Sequence, residues 1–357
     1  MNRRSMLKCL AGCCAAAVPF GAVVSGEADE EQAGPLKALA KRSGKLVAMF
    51  TGSHELLTVP AAAQIIAAEF DMIAVGNDLK MNRVHPQPDQ YNFSYADQDV
   101  AWSEKKGLLF RGHTLVWHNA LPSWFASYVN PGNARQVMTD HITSVMGRYA
   151  GKIYSWDVVN EPIHHDGRPD ELRKKPWLDL VGDDYIELAF HTAAAADPKA
   201  KLILNECYIE DDLPGHAQRR NALLQLATGL KKKNVPITGV GIQGHLKADT
   251  PLSIDGMKSF MHSLQEANLE IHITELDVDD SAIPGPQVDD AVARKYGEFL
   301  DLVLPFATAI TFEQLIDDPG LPKRSDGVPH RPNMFDAHYQ KMPAYYAAAK
   351  AFEEVHT

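Results

Sequence analysis

The chain has 357 residues, of which 45% are hydrophobic and 23% are charged, a composition typical of a globular protein with a large core. Its formal net charge at pH 7 is −11, and no basic stripe appears after the N-terminal residues. Nucleic acid is therefore not an expected partner, whereas an acidic surface is compatible with a neutral substrate.

The first 28 residues are predicted to be a signal peptide of the twin-arginine type. Arg3 and Arg4 precede an apolar run over residues 9–24, which is followed by small residues. The run is too short and too rich in small residues for a membrane span. We therefore expect export to the periplasm or the medium, with a lipid anchor at the lipobox-like Cys13 as the alternative. After the leader the chain contains one cysteine, Cys207, so no internal disulfide is expected.

Residues 29–44 are polar and mixed, and are predicted to form a short tether. From residue 45 onwards apolar strands alternate with helical stretches. The predicted strands are 46–50, 72–75, 108–116, 153–159, 201–205, 240–244, 271–276 and 307–312. The predicted helices are 60–70, 95–106, 133–149, 185–196, 216–233, 254–267, 288–304 and 343–355. Eight strand–helix units predict a single α/β domain over residues 45–357, a (β/α)8 TIM barrel. A doubly wound open sheet is the second possibility, but no Gly-x-Gly-x-x-Gly turn supports it.

Two of the predicted strands end in a carboxylate. Strand 153–159 breaks at Asn160, Glu161 and Pro162, because a proline cannot donate to a strand ladder. Strand 271–276 carries Glu275, and Asp277 follows on the same face. An ion-paired structural glutamate explains either residue alone, since glutamates are seldom buried without a partner. Two strand-end glutamates together are what glycoside hydrolysis needs: one protonates the leaving oxygen, and the other attacks the sugar or activates water.

Further polar residues cluster where the predicted strands end. In a barrel of this kind catalytic groups gather at the C-terminal ends of the strands. Satisfaction of isolated polar residues in a core does not predict such recurrence, so we expect one shared site. The site would include Asn77, Lys80, His113, Trp117, Asn205, Gln243 and His245.

Four stretches stand out as motifs: RGHTLVWH at residues 111–118, WDVVNE at 156–161, GVGIQGHL at 239–246 and ITELD at 273–277. In that order they resemble the strand-three, acid/base, strand-six and nucleophile motifs of glycoside hydrolase family 10, the family of retaining endo-β-1,4-xylanases. The resemblance runs from about residue 45 to residue 352. It implies a (β/α)8 barrel that cleaves internal β-1,4 bonds of xylan or a related plant polysaccharide, without a metal or a cofactor.

The resemblance also implies a role for each residue of the shared site. Glu161 would be the general acid/base and Glu275 the nucleophile of a double displacement. His245, oriented by Asp277, would keep Glu275 ionised, and Asn160 would bind the sugar 2-hydroxyl. The glycone side and its supports would be Asn77, Lys80, His113, Trp117, Asn205 and Gln243.

The chain departs from the family pattern at three strand ends. Gly76 replaces the glutamate of the strand-two Glu-Asn-x-x-Lys, and the strand-five Asn-Asp-Tyr-Asn reads NECY at residues 205–208. Glu313 replaces the tryptophan of the strand-eight Thr-x-Trp-Gly, and Leu321 lies near the position of a second tryptophan. We therefore expect a more open, polar wall with an anionic Glu313. Such a wall predicts weaker action on plain xylan and tolerance of substituted or C6-bearing sugars.

Two other classes of function are open. One is a carbohydrate-binding or sensing protein on a catalytically weakened barrel, which would have no chemical need for both glutamates and their polar supports. The other is a metal hydrolase that uses His164, His165 and Asp166. Adjacent histidines on a loop rarely converge on one ion without a ligand from elsewhere.

Overall fold

The structure, a computed structural model, describes residues 34–164, 167–317, 324 and 326–355. The predicted signal peptide at residues 1–28 lies outside the described residues, as do His165, Asp166 and Leu321. Within the described ranges no helix is both long enough and apolar enough to cross a membrane.

The strands form a closed parallel barrel. They are β1 (Leu46–Thr51), β2 (Met72–Val75), β3 (Leu109–Gly112), β4 (Ser155–Asn160), β5 (Lys201–Glu206), β6 (Gly239–Ile242), β7 (His245–Lys247), β8 (Glu270–Asp279) and β9 (Ala309–Phe312). Strands β1 to β6 pair in order, β6 pairs with β8, β8 with β9, and β9 with β1, which closes the ring. The short β7 pairs only with the far end of β8. The predicted (β/α)8 barrel is confirmed.

Helices alternate with the barrel strands along the chain. They are α1 (Leu36–Arg42), α2 (Ser53–Thr58), α3 (Pro60–Glu69), α4 (Met81–Val84), α5 (Ser94–Lys106), α6 (Phe125–Tyr128), α7 (Ala134–Arg148), α8 (Asp179–Val181), α9 (Tyr185–Ala196), α10 (His216–Lys232), α11 (Ile254–Glu266), α12 (Val288–Val303) and α13 (Pro343–Glu354). The eight predicted helices are all present, each ending within one residue of its predicted bounds. The additional helices are short and lie at the chain start or in loops.

Helix α1 occupies part of the stretch 29–44 that is predicted to be a tether, of which residues 29–33 lie outside the described residues. Leu36, Leu39 and Ala40 form a buried stripe with helical spacing. The N–H of Leu36 donates to Glu69 Oε2 on α3 at 2.8 Å, and the hydroxyl of Tyr345 on α13 donates to the same oxygen at 2.8 Å. A seven-residue helix is marginal alone, so packing and these bonds stabilise it, and sequence periodicity does not reveal it.

Strand β3 ends earlier than the predicted bound at residue 116. Its regular pairing stops at Gly112, and the N–H groups of Leu115 and Val116 then donate to carbonyls of β4 at 3.1 and 3.0 Å. The chain therefore bends at residues 113–114 without leaving the barrel wall. This bend places the side chain of His113 at the C-terminal end of the barrel.

A buried ion pair crosses the barrel interior below that end. Arg111 on β3 donates through Nη2 to Asp157 on β4, and both side chains are almost fully buried. The second nitrogen, Nη1, lies 3.4 Å from the carbonyl of Thr274 on β8. Beside the pair, a Cβ on Gly112 would lie 2.3 Å from the ring of Trp156, so only glycine fits there. The pair thus links three strands that carry site residues.

Candidate active site

Glu161 stands at the point where the chain leaves β4. Its φ is +52°, a left-handed conformation that is uncommon for residues other than glycine and that turns the chain out of the strand. Its N–H donates to the carbonyl of Asn205 at 2.8 Å. Its Oε1 lies 3.4 Å from Nδ2 of Asn160 and 3.3 Å from Nε2 of Gln243, and Oε2 lies 3.8 Å from Nδ1 of His118. Both oxygens therefore face polar groups inside the barrel mouth.

Glu275 lies within β8 and is almost fully buried. Nδ2 of Asn205 donates to its Oε1 at 2.8 Å, and Nε2 of His245 lies 3.5 Å from its Oε2. Burial by itself raises the pKa of this carboxyl group, but His113, His245 and Arg111 outweigh that effect and lower its pKa to about 2. Glu275 is therefore a carboxylate at any physiological pH.

An amide network joins the two acids. Nδ2 of Asn205, which donates to Glu275, also donates to Oδ1 of Asn160 at 2.8 Å, and Nε2 of Gln243 approaches the same oxygen at 3.3 Å. The hydroxyl of Thr274 donates to Oδ1 of Asn205 at 2.7 Å, which orients that amide. Asn160 and Gln243 in turn contact Glu161. The structure thus brings residues of four strand ends, far apart in sequence, into one site.

The predicted pair of His245 and Asp277 is present. Nδ1 of His245 lies 2.8 Å from Oδ1 of Asp277. Burial lowers the pKa of His245, but its contacts with Asp277 and Glu275 raise it to about 12, so the ring is an imidazolium. Its charge faces the nucleophile side of the site.

His113 is buried beside Glu275. Its Nδ1 lies 2.8 Å from Oδ2 of Asp157 and 3.9 Å from Oε1 of Glu275, and its ring packs edge-on against Phe50. These contacts give His113 a supporting role beside Glu275, and its place on the glycone side stays a prediction. Asp157, which contacts His113, and Arg111, which bonds to Asp157, were missed as site residues. A lone aspartate inside an apolar strand is itself a signal of pairing.

The same three acidic and imidazole groups are the only candidate metal cluster within the described residues. Ligand atoms of His113, Asp157 and Glu275 lie within 4.8 Å of one another. The guanidinium of Arg111 bonds directly to Asp157, so a cation would meet a buried positive charge. The cluster is therefore better described as an ion-pair network than as a metal centre. Of the alternative metal-binding set His164, His165 and Asp166, the last two residues lie outside the described part of the chain.

Asn77, Lys80 and Trp117 form the opposite wall. Nζ of Lys80 donates to Oδ1 of Asn77 at 3.2 Å and lies 5.1 Å from the centre of the Trp117 ring. Burial lowers the pKa of Lys80, and Glu275, Glu313 and Glu161 oppose that effect, which places the ammonium among all three carboxyl groups. A Cβ at Gly76 would have Phe50 at 3.8 Å as its neighbour, so the missing side chain leaves room.

A groove continues from this wall along the first two strand ends. It has a volume of about 840 Å³ and reaches from Asn77 past His54, Glu55 and Tyr95. Asn77 is the residue that this groove shares with the wall.

Glu206 and Glu313, the two remaining departures from the family pattern, differ in burial and in their contacts. Glu206 is fully buried, accepts from the N–H of Ile163 at 2.8 Å and lies 3.3 Å from Arg219, so it supports the loop after Glu161. Burial raises its pKa to about 7. Glu313 is only partly exposed, and burial followed by the charges of Glu275 and Asp277 raises its pKa well above its usual value. Burial and the neighbouring carboxylates therefore disfavour the anionic form that the sequence predicts for Glu313.

Known proteins share this fold and these sequence features. The model of glycosyl hydrolase family 10 matches residues 35–351. Endo-1,4-beta-xylanase 2 of Claviceps purpurea is 36% identical over 262 residues, which are 73% of this chain and 76% of that protein. Endo-1,4-beta-xylanase A of a Caldicellulosiruptor species is 35% identical over 287 residues, which are 74% of this chain but 41% of that protein. The chain thus spans less than half of some relatives and most of others.

Solved structures agree. Native xylanase 10B from Thermotoga maritima superposes with a TM-score of 0.80 and 29% identity, over 90% of this chain and 98% of that one. Xylanase 10B from Thermotoga petrophila, solved in complex with xylobiose, gives the same TM-score and identity, over 90% and 97% of the two chains.

Proposed function

Because the chain belongs to glycosyl hydrolase family 10, we propose that it is a retaining glycosidase that cleaves internal β-1,4 bonds of xylan or a similar polysaccharide. The observation that carries the proposal is the amide network of Asn160, Asn205 and Gln243, which contacts both Glu161 and Glu275. The names of the relatives support xylan as the substrate.

In the first step Glu275 attacks the anomeric carbon while Glu161 gives its proton to the leaving oxygen. The sugar–oxygen bond breaks, a glycosyl ester forms on Glu275, and the released chain leaves as an alcohol. The low pKa of Glu275 keeps the attacking oxygen free of a proton. In the second step Glu161, now a carboxylate, takes a proton from water, which attacks the same carbon and releases Glu275. Two displacements retain the β configuration.

The polar neighbours position these two acids. Asn205 donates to Glu275 on one side and to Asn160 on the other, so both carboxyl groups keep a defined separation. We assign Asn160 to the sugar 2-hydroxyl, and Lys80, Asn77 and Trp117 to the glycone side. A sensor without chemistry is not favoured, since buried carboxylates are costly and the ionised Glu275 has no role in mere binding.

Hydrolysis of an aryl β-xylobioside, followed by proton NMR, tests the proposal. We expect the β-anomer as the first product, unaffected by a chelator. Glu161→Ala should still release a good phenolate leaving group but lose activity on xylan, because only the poor leaving group needs protonation. Glu275→Ala should lose both activities. An α-anomer as first product, or equal losses in both variants on both substrates, would contradict the assignment.

We also propose that the protein is exported by the twin-arginine route. Arg3 and Arg4 ahead of the apolar run support this. Residues 1–28 fused to a reporter should deliver it to the periplasm. Replacing both arginines with lysine keeps the charge and should block export; export that persists in this variant would point to a different route.

A further inference from the structure

A cavity of about 520 Å³ next to Glu161 has a predominantly basic lining. The ionisable groups of its lining are His118, His164, Arg173, Lys174, Lys175 and Asp179. Three positively charged side chains thus stand against one carboxylate, although the formal net charge of the whole chain is −11. A local excess of positive charge in a concave site attracts anions, so the cavity is suited to a negatively charged ligand.

Two of the lining residues contact Glu161. Nδ1 of His118 lies 3.8 Å from Oε2 of Glu161, and Nε of Arg173 donates to its backbone carbonyl at 3.0 Å. The other carboxyl oxygen, Oε1, faces the amide network. Among the described residues, the cavity shares no lining residue with the groove that includes Asn77. Because a general acid gives its proton to the leaving oxygen, the part of the polysaccharide that leaves passes next to Glu161, within reach of this cavity.

The segment that carries the positive charges is fixed to the strand ends. The N–H of Arg173 donates to the carbonyl of Pro162 at 2.7 Å, directly after Glu161. Nε1 of the buried Trp177 donates to the carbonyl of Trp117 at 2.8 Å. The exposed Lys175 lies between these two anchors. Charges that are already in place bind a ligand without the entropic cost of first ordering a loop.

The charges of Arg173 and Lys175 are not neutralised by carboxylates of the described residues. The guanidinium of Arg173 donates to the carbonyl of Glu161 and lies 3.4 Å from that of Ile163, and both acceptors are uncharged. Lys175 forms no ion pair within the described part of the chain. Burial, followed by the charge of Arg173, lowers the pKa of His118 to about 4, so the positive charge of Arg173 acts on the space beside Glu161.

A carboxylate carried by the substrate is the anion that fits this place. In a polysaccharide that group belongs to a uronic acid. A uronate in the main chain would come to lie against Glu275, which is itself a carboxylate, whereas a uronate branch on the leaving part reaches the cavity. We propose, on the basis of the glycosidase function proposed above, that the cavity lined by Arg173 and Lys175 binds a uronate branch of the leaving chain. The substrate class is then uronate-substituted xylan.

Calorimetry in a Glu161→Gln background, which cannot cleave, tests the cavity as a binding site. The probes are xylotetraose, xylotetraose with one glucuronic acid branch, and xylotetraose with one neutral arabinose branch. The uronate probe should bind most tightly, and Lys175→Glu should reduce this preference about three- to tenfold. Salt at about 1 M should screen most of the preference. The matched control is Lys199→Glu, the same charge change at an exposed position before β5, at the N-terminal end of the barrel; it should keep the preference.

The products of the enzyme with Glu161 intact locate the branch. On glucuronoxylan the uronate should lie at or next to the non-reducing end of the products, since that end belongs to the chain that leaves; mass spectrometry with fragmentation reads its position. Lys175→Gln, which removes the charge, should lower the ratio of kcat/KM for uronate-substituted over plain xylan about three- to tenfold.

Three outcomes would overturn the proposal: equal binding of the uronate and arabinose probes, a uronate preference that Lys175→Glu leaves unmoved, or uronates found only near the reducing ends of the products. Absence of any hydrolysis together with uronate-dependent binding would instead overturn the glycosidase function and leave the role of the cavity standing.

Discussion

Replacing His245 with alanine tests whether neighbouring positive charge keeps the nucleophile ionised. Nε2 of His245 lies 3.5 Å from Oε2 of Glu275, and the other ring nitrogen, Nδ1, lies 2.8 Å from Oδ1 of Asp277. Since these two carboxylates outweigh burial and raise the pKa of His245 to about 12, its positive charge is present across the whole working range. Alanine removes that charge and leaves the fold of β7 and β8 in place.

The expected magnitude follows from the distance. Two unit charges 3.5 Å apart interact by about 5 kcal/mol at an effective dielectric constant of about 20. Water entering the space left by the ring will solvate the Glu275 carboxylate and offset part of this lost stabilisation. His113 and Arg111 will still lower the pKa of Glu275. We therefore expect the pKa of Glu275 to rise from about 2 to about 3–4, a change of about 1.4–2.7 kcal/mol.

The assay is the pH dependence of kcat/KM for an aryl β-xylobioside, with folding checked by circular dichroism at each pH. Attack requires the carboxylate, so a higher pKa moves the acidic limb to higher pH. The control is His262→Ala on α11, an exposed histidine whose ring packs against Phe306, which should leave the limb unmoved. An acidic limb in His245→Ala that stays where it is, or moves to lower pH, would refute the electrostatic account.

Three further changes have distinct outcomes. Gly112→Ala should destabilise the fold by about 1–3 kcal/mol, because its Cβ would lie 2.3 Å from the Trp156 ring. Gly147→Ala on α7 would meet no atom within 4 Å and should stabilise the fold by about 0.5–1 kcal/mol. Urea unfolding compares the two variants, and equal effects on the free energy of unfolding would contradict the packing argument. Glu206 binds its proton more tightly in the folded state, so the free energy of unfolding should fall as the pH rises from about 4.5 to about 7. Glu206→Gln should remove that loss, which is at most about 3 kcal/mol. An unchanged pH dependence in the variant would show that the buried carboxyl group is not its source. The ratio of kcat/KM for aryl xylobioside over aryl cellobioside should stay under about a thousandfold, or about 4 kcal/mol. The reason is that Gly76 leaves room beside the sugar for the hydroxymethyl group that glucose carries and xylose lacks. A larger ratio would mean that the wall excludes this group.

The barrel could be predicted because its signals are local and repeated. Apolar strands between amphipathic helices determine most element bounds. The two glutamates were recognisable because each interrupts an apolar run, although β8 continues past Glu275 to Asp279. Helix α1 escaped prediction because its stripe is too short to stand out, and its stability depends on Glu69, which lies on another helix. Sequence periodicity reports the local preference of a segment, whereas α1 is stabilised by its contacts with other helices.

The charge state of the site could not be predicted from the sequence. Asp157 and Arg111 each look like exceptions within an apolar strand, and only the pairing of β3 with β4 makes them partners. Glu313 looks like an exposed anion after a strand, yet burial and then the nearby charges of Glu275 and Asp277 raise its pKa. Protonation is a property of distances, and the order of residues along the chain does not contain those distances.

The bond between Tyr345 and Glu69 has a consequence for how the barrel is made. The two residues are separated by 276 positions, and α1, α3 and α13 meet around one carboxyl group. Contacts of such long range are slow to form, because most of the chain must be ordered before they can close. On the ribosome Tyr345 is made 276 residues after Glu69, so this contact can form only after all of the intervening chain has been synthesised. A chain cut short before α13 would keep the pairing of β9 with β1 but lose the contact that joins α1 and α3 to the last helix.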